Sequence, residues 1–203
     1  MTGSAEEQEL KDRLRLIENM IIEGQQTTQR WGWAFVFWGV AYYLAIAWST
    51  LGKSEWAWPV TMIVASLLAG ILVSRKASKH PGTTIGRAIG AVWIAFGISI
   101  FVLLCSLGAS GRYETHVFIA IIGAMLGGAN ATCSMILRWK IQFACALVWW
   151  TSAIIGAFGS EAAGGIAFLV AIFVCQILFG IYCMIGESRK RRLTSRNQDA
   201  AHA

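Results

Sequence analysis

The sequence predicts an all-α, polytopic membrane protein with six transmembrane helices preceded by a short cytosolic amphipathic helix. Only 14% of its 203 residues are charged and 56% are hydrophobic, whereas soluble domains carry about 25% charged residues. Six stretches contain no Asp, Glu, Lys or Arg and are each close to the length of about 20 residues that a helix needs to cross the hydrocarbon core. The gaps between them are too short to supply the surface of a soluble domain. The six predicted spans are 31–52, 56–74, 88–111, 115–137, 141–160 and 162–186.

The distribution of Lys and Arg predicts which side of the membrane each flank faces. If the six spans cross in turn, 15 of the 17 Lys and Arg residues lie on the side of the N-terminus, and only Lys53 and Arg112 lie opposite. Because positively charged flanks stay in the cytoplasm, both termini are expected there. The net charge of +6 is thus explained by topology and does not indicate a nucleic-acid partner.

The chain divides into three parts, of which the first is a cytosolic N-terminal helix with a linker, residues 1–30. The helix is predicted over 4–23, and Gly24 is expected to weaken it before the chain enters the membrane. A transmembrane domain over 31–186 and a basic cytosolic tail over 187–203 follow. The apolar residues of the first helix repeat at intervals of four and three, which places them on one face. This N-terminal stripe consists of Leu10, Leu14, Ile17 and Ile21.

The N-terminal stripe needs a partner, and the sequence leaves three open. It can pack on the cytosolic loops of its own chain, pair with a second copy in a homo-oligomer, or bind a separate cytosolic protein. Residues 1–30 carry six acidic and four basic side chains, and this balance argues against a polybasic anchor on anionic lipid.

The predicted spans contain no ionisable Asp, Glu, Lys or Arg, so their polar chemistry rests on a few neutral side chains. Proton-coupled and ion-coupled transporters carry intramembrane ionisable residues, and enzymes need positioned acids, bases or metal ligands. We therefore expect no enzyme, no cofactor and no metal site. The candidate polar residues lie at similar depth in three spans, in the inner half of the bilayer: Asn130, Ser134, Trp149, Ser152 and Gln176.

Each of these residues belongs to a stripe that is expected to face protein and not lipid. Small residues allow close approach of membrane helices, and we expect Gly123 and Gly127 to lie at such a contact. The stripes are His116, Gly123, Gly127, Asn130 and Ser134; Gln142, Cys145, Trp149, Ser152 and Gly156; and Gly165, Gln176, Gly180 and Cys183. Two interpretations stay open: hydrogen bonding between helices, or a pocket for a small uncharged polar or aromatic solute.

The ten tryptophans are divided by their depth in the predicted spans. An indole at the membrane boundary keeps its N–H hydrated and its ring in the acyl region. Six tryptophans are predicted to form such interfacial belts, Trp31, Trp33 and Trp139 inside and Trp48, Trp56 and Trp58 outside. The other four, Trp38, Trp93, Trp149 and Trp150, lie within spans, where the N–H needs an acceptor.

Two segments carry a family resemblance. The six spans can be drawn as three helical hairpins that start after Arg30, Arg87 and Arg138. The first two hairpins begin with "RWGWAFVFWG" and "RAIGAVWIAFG", and this outline is similar to HdeD-like six-span proteins. The segment "IENMIIEGQQTTQRWGWAFVFWG" also resembles the start of small bacterial six-span inner-membrane proteins. The resemblance implies architecture and a multi-pass location in the bacterial inner membrane, and it supplies no catalytic residues.

The sequence leaves two classes of function open. The first is a non-enzymatic regulatory or interaction component that uses its N-terminal helix. The alternative is a channel, carrier or sensor for a small uncharged solute bound in the inner half of the helix bundle. A channel is expected to show a hydrated path through the spans, whereas an interaction protein is expected to be packed shut.

Overall fold

The computed structural model describes residues 3–53, 56–77, 84–110 and 114–201. These residues contain six helical segments long and apolar enough to cross a membrane, which confirms the all-helical class and the presence of six long apolar helices where six spans were predicted. The helices are α1 (Gly3–Arg30), α2 (Gly32–Leu51), α3 (Ala57–Ala77), α4 (Thr84–Ala109), α5 (Thr115–Leu137), α6 (Lys140–Phe158), α7 (Glu161–Ile172) and α8 (Phe179–Ala201). The end of the bundle at which α2 begins and α5 ends is called the basic end below, because it carries Arg30, Arg87 and Arg138.

The sixth span is one helix interrupted by a π-helical segment. The side chain of Ser160 accepts a hydrogen bond from the N–H of Ala163 and caps α7, and α7 runs into the π-helical turn Phe173–Leu178 before α8 begins. A π-helical turn inserts extra backbone and rotates everything before it relative to everything after it. Gly165 was expected on the protein-facing stripe with Gln176, and this expectation is wrong. Gly164 faces α6, whereas a Cβ on Gly165 would meet open space.

The core of the bundle is the antiparallel pair α5 and α6. In the most apolar stretch of α5, 61% of the residues are buried. The helix ends where Arg138 adopts the left-handed conformation (φ 48°) and the N–H of Trp139 donates to the carbonyl of Ser134 over 3.0 Å. This arrangement is a Schellman-type end, which reverses the chain within two residues.

The backbones of α2 and α8 touch near the basic end. A Cβ on Gly32 would lie 2.8 Å from the carbonyl oxygen of Gly180, and a Cβ on Gly180 would lie 2.8 Å from the carbonyl oxygen of Gly32. Further along α2, a Cβ on Gly39 would lie 2.9 Å from Cβ of Gln176. Glycine is required at this contact because no side chain fits between the two backbones.

The helices α3 and α4 form the periphery of the bundle. Only 11% and 6% of the residues in their most apolar stretches are buried. The helix α3 packs mainly on α2, and α4 packs on α5, where the ring of Phe96 covers Gly128. A Cβ on Gly90 or Gly97 of α4 would meet no atom within 4 Å. The outer faces of α3 and α4 are thus available to lipid or to another protein.

The first helix differs from its prediction, because α1 continues through Gly24 to Arg30 and there is no linker. Gly24 is buried, and a Cβ at this position would lie 2.5 Å from side-chain atoms of both Ile85 and Leu137. Gln25 donates from Nε2 to the carbonyl of Leu137 over 2.8 Å. The low helix propensity of glycine is outweighed by this packing, which a larger residue would prevent.

Two tryptophans that were expected at the membrane boundary are packed within the bundle. Trp139 is 9% exposed, and its ring lies 5.5 Å from that of Phe179. Trp58 is partly buried, with its ring 4.7 Å from that of Phe118. Trp56, in contrast, is 69% exposed, as an interfacial residue is expected to be.

Candidate functional site

The polar residues singled out in the sequence lie in the centre of the bundle. Asn130 and Ser134 belong to α5, Trp149 and Ser152 to α6, and Gln176 to the π-helical turn. All five are at most 4% exposed. Together with Gln142 of α6, which is fully buried, they are called the polar core below.

The register of α5 against α6 shows how Asn130 is placed. A Cβ on Gly156 would contact the side chain of Ile119, and a Cβ on Gly123 would contact Ala153. Because the two helices are antiparallel, the position on α6 opposite Asn130 lies near residue 146. Asn130 is therefore level with the middle of α6 and close to one turn from Gln142 along the bundle axis.

The π-helical turn reaches the same layer. The thiol of Cys175 donates to the carbonyl of Cys145, with 3.4 Å between sulfur and oxygen. Gln176 follows Cys175 directly, so the layer that contains Cys145 and Asn130 also contains Gln176. Residues of three spans thus meet at one depth, but the α6 member of this layer is Cys145, and Trp149, which was predicted at this depth, lies about one turn further along α6.

Some polar atoms of the polar core are paired locally. Asn130 donates from Nδ2 to the carbonyl of Leu126 over 2.9 Å, and the hydroxyl of Ser134 donates to the carbonyl of Ala131 over 2.8 Å. Both bonds stay within α5. They satisfy donors without joining two helices, so they do not act as interhelical hydrogen bonds.

Other buried polar atoms have no hydrogen-bond partner among the described residues. They are Oδ1 of Asn130, both Nε2 and Oε1 of Gln142, Nε1 of Trp149 and Oγ of Ser152. An unpaired polar group in the interior costs about 1–3 kcal/mol, and most buried groups of this kind are paired with protein or with ordered water. The set contains donors and acceptors and no charge, so these atoms can hydrogen-bond to a neutral group but offer no charge to an ion.

The two glycines predicted at a close helix contact lie between α5 and α6. A Cβ on Gly123 would be 2.9 Å from the carbonyl oxygen of Trp149, and a Cβ on Gly127 would overlap the indole ring of Trp150. At these two positions α5 and α6 pack without space for a larger side chain. A shallow recess lies elsewhere, on the surface of α8, and is lined by Ile181, Met184, Ile185, Ser188, Arg189 and Arg192.

His116 ends the polar stripe of α5 away from the basic end. Its Nδ1 lies 2.8 Å from the carbonyl oxygen of Gly156, and the ring is half-buried. The described residues contain no group of three His, Cys, Asp or Glu side chains that could hold a metal ion. The contact with Gly156 gives His116 a structural role between α5 and α6.

The N-terminal stripe forms a second candidate surface. Leu10, Leu14 and Ile17 are 59%, 53% and 52% exposed, and Ile21 is half-buried. The spacing of the stripe continues in the same order to Gly24 and Thr28, which are buried against the bundle. One face of α1 is therefore covered by the bundle at its C-terminal end and uncovered at its N-terminal end.

Sequence reasoning placed Gln142 on a polar stripe but did not name it as a site residue. Its spacing of seven residues from Trp149 carried the signal, because residues two turns apart share a face. Gly180 was expected to face protein, but its contact with Gly32 was not predicted. The sequence around Gly32 does not indicate this contact, because no glycine lies four residues away to form a small-xxx-small motif.

Six apolar helices around a neutral polar core define the chain as a multi-pass helical membrane protein. Comparison with protein-family models, with curated proteins and with solved structures found no match.

Proposed function

We propose that this protein is a non-enzymatic interaction component of a bacterial inner membrane, with its basic end in the cytosol, and that α1 is the surface through which it associates. The observation that carries the proposal is the uncovered N-terminal stripe on a helix whose other end is firmly anchored. The occupant is a second copy of this chain.

The anchoring of α1 supports a role in presenting a surface. Gln25 donates to the last carbonyl of α5 at Leu137, and Gly24 is packed against side chains of Ile85 and Leu137. Carbonyls at the C-terminal end of a helix point along its axis, so α1 lies across the end of α5. A helix held in this way presents its apolar face in one direction at a low cost in conformational entropy.

The position of α4 favours a second copy as the occupant. The helix α1 passes Ile85 at the start of α4. Of the six spans, α4 has the smallest buried fraction, and a Cβ on its Gly90 or Gly97 would meet open space. A second copy packed on this side of α4 would bring its own basic end below the N-terminal stripe. Residues 1–30 are acidic by two charges, which complements a basic end.

We expect Leu14→Glu combined with Ile17→Glu to abolish self-association while the six spans stay folded. Carboxylates on the stripe would have to be desolvated at the interface. The measurement is co-purification of two differently tagged full-length copies in mild detergent, with the molecular mass from light scattering. The matched control, Gln8→Glu with Asn19→Glu, adds the same charge on the exposed opposite face and should leave association unchanged.

Two results would contradict this assignment. Equal association of the stripe variant and the control would leave α1 without a role in self-association. Retained self-association with loss of a different co-purifying protein would assign the stripe to that protein and not to a second copy.

The proposed orientation predicts a labelling pattern. In a background without the five native cysteines, a cysteine at Ser110 or Ser160 should react with a membrane-impermeant maleimide in intact cells. A cysteine at Ser78 should react only after permeabilisation, because the Lys-rich and Arg-rich flanks stay in the cytosol. The reverse pattern would place both termini outside.

A channel, carrier or sensor for a small uncharged solute is the second candidate function. The unpaired polar atoms of the polar core support it. The exposure of at most 4% at these residues and the close glycine contacts around them do not favour conduction. We therefore rank the interaction component above it.

A further inference from the structure

The unpaired polar atoms of α6 follow one line along the helix. Gln142, Trp149 and Ser152 are separated by seven and three residues, which places them within about a quarter of the helix circumference and along about 15 Å of its length. All three are at most 2% exposed. Asn130, whose Oδ1 is also unpaired, adds an acceptor from α5.

These groups do not satisfy one another in the structure. Gln142 and Trp149 are two helical turns apart, or about 10 Å along the axis, which is more than a direct hydrogen bond can bridge. No hydrogen bond joins Asn130 to Gln142 among the described residues, although the two lie about one turn apart along the bundle axis. A molecule that bonds to several of these groups in succession would satisfy them.

The chemistry of the groups restricts the guest. Oδ1 of Asn130 and Oε1 of Gln142 need donors, whereas the indole N–H of Trp149 needs an acceptor. A cation would meet no carboxylate, and an anion would meet no cationic side chain in this layer. The guest must be neutral, able to donate and accept, and small enough for a layer whose side chains are fully buried.

We infer that the polar core holds a short file of ordered water molecules along α6. Each buried water typically makes about three hydrogen bonds to groups that are otherwise unsatisfied, and a file of such waters would connect Gln142 with Ser152. Gln176 forms part of the wall, on the π-helical turn, a feature that is frequent at functional sites.

The inference is tested on the full-length protein in lipid nanodiscs by NMR, with ¹⁵N-labelled Gln, Asn and Trp. We expect cross-relaxation with long-lived water at the side-chain amide of Gln142 and the indole N–H of Trp149. The exposed indole of Trp56 should show only fast exchange with bulk water. Absence of long-lived water at both buried groups would overturn the inference.

The Tm of a Gln142 variant provides a second measurement, because bound water and an unpaired amide predict shifts of opposite sign. Gln142→Met preserves length and removes hydrogen bonding. If water links the groups, the substitution lowers the Tm, and its effect becomes smaller in an Asn130→Leu background, because the two residues share the same waters. If the amide is simply unpaired, the substitution raises the Tm and overturns the inference. Leu147→Met, on the half-exposed face of α6, is the control.

A solute in place of water is distinguished by mass spectrometry. Denaturation of the purified protein should release no stoichiometric small molecule. Release of one neutral organic compound per chain would overturn the water assignment and favour the second candidate function instead. The proposed role of α1 is not affected by any of these outcomes.

Discussion

Gly180→Ala is expected to lower the Tm by several degrees, corresponding to about 1–3 kcal/mol of overpacking. The new Cβ would lie 2.8 Å from the carbonyl oxygen of Gly32 and 3.0 Å from the backbone nitrogen of Val36. Backbone atoms cannot rotate away as a side chain does, so α2 and α8 must separate. The measurement is thermal unfolding in detergent, followed by the fluorescence-detected size of the particle.

The control for this prediction is Gly97→Ala on α4. A Cβ there meets no atom within 4 Å, and alanine is favoured over glycine in a helix by about 1 kcal/mol. The control should therefore leave the Tm unchanged or raise it. If Gly180→Ala behaves like Gly97→Ala, the close contact of α2 with α8 is not present in the protein.

Trp149→Ala is expected to have the largest effect of any single substitution considered, a loss of about 3–5 kcal/mol. Trp149 is fully buried, its ring lies 5.9 Å from the ring of Phe168, and its backbone carbonyl faces Gly123. Removal of the indole leaves a cavity between α5, α6 and α7. The helices cannot move together to fill it, because α5 and α6 are already in contact at their glycines. Thermal unfolding and resistance to added denaturing detergent measure the loss.

The same substitution at an exposed position tests whether burial is the cause. Trp56 is 69% exposed, so Trp56→Ala should change the free energy of unfolding by no more than about 0.5 kcal/mol. Trp149→Phe, which keeps most of the ring volume, should retain most of the stability. An equal loss for Trp56→Ala and Trp149→Ala would contradict the burial argument.

The six spans and the position of the polar core could be predicted from the sequence. Spans follow from the position of charges, because each charged side chain in hydrocarbon is costly whatever its neighbours are. The polar core followed from depth and helical periodicity, since Asn130, Trp149 and Gln176 lie on stripes that avoid lipid. Such arguments use one helix at a time, and they succeed where the bilayer itself is the dominant environment.

The remaining features depend on pairs of helices and were decided by tertiary structure alone. Gly24 was expected to weaken the helix, with the predicted helix ending at residue 23. The packing of Ile85 and Leu137 against Gly24 outweighs the cost of about 1 kcal/mol that glycine carries in a helix relative to alanine. Gly164 and not Gly165 contacts α6, and the stripe on the sixth span alone does not reveal this because it carries no information on where α6 lies. A contact between two helices that are distant in the chain depends on the complementary shapes of both helix surfaces. The residue pattern of one helix describes only one of these two surfaces.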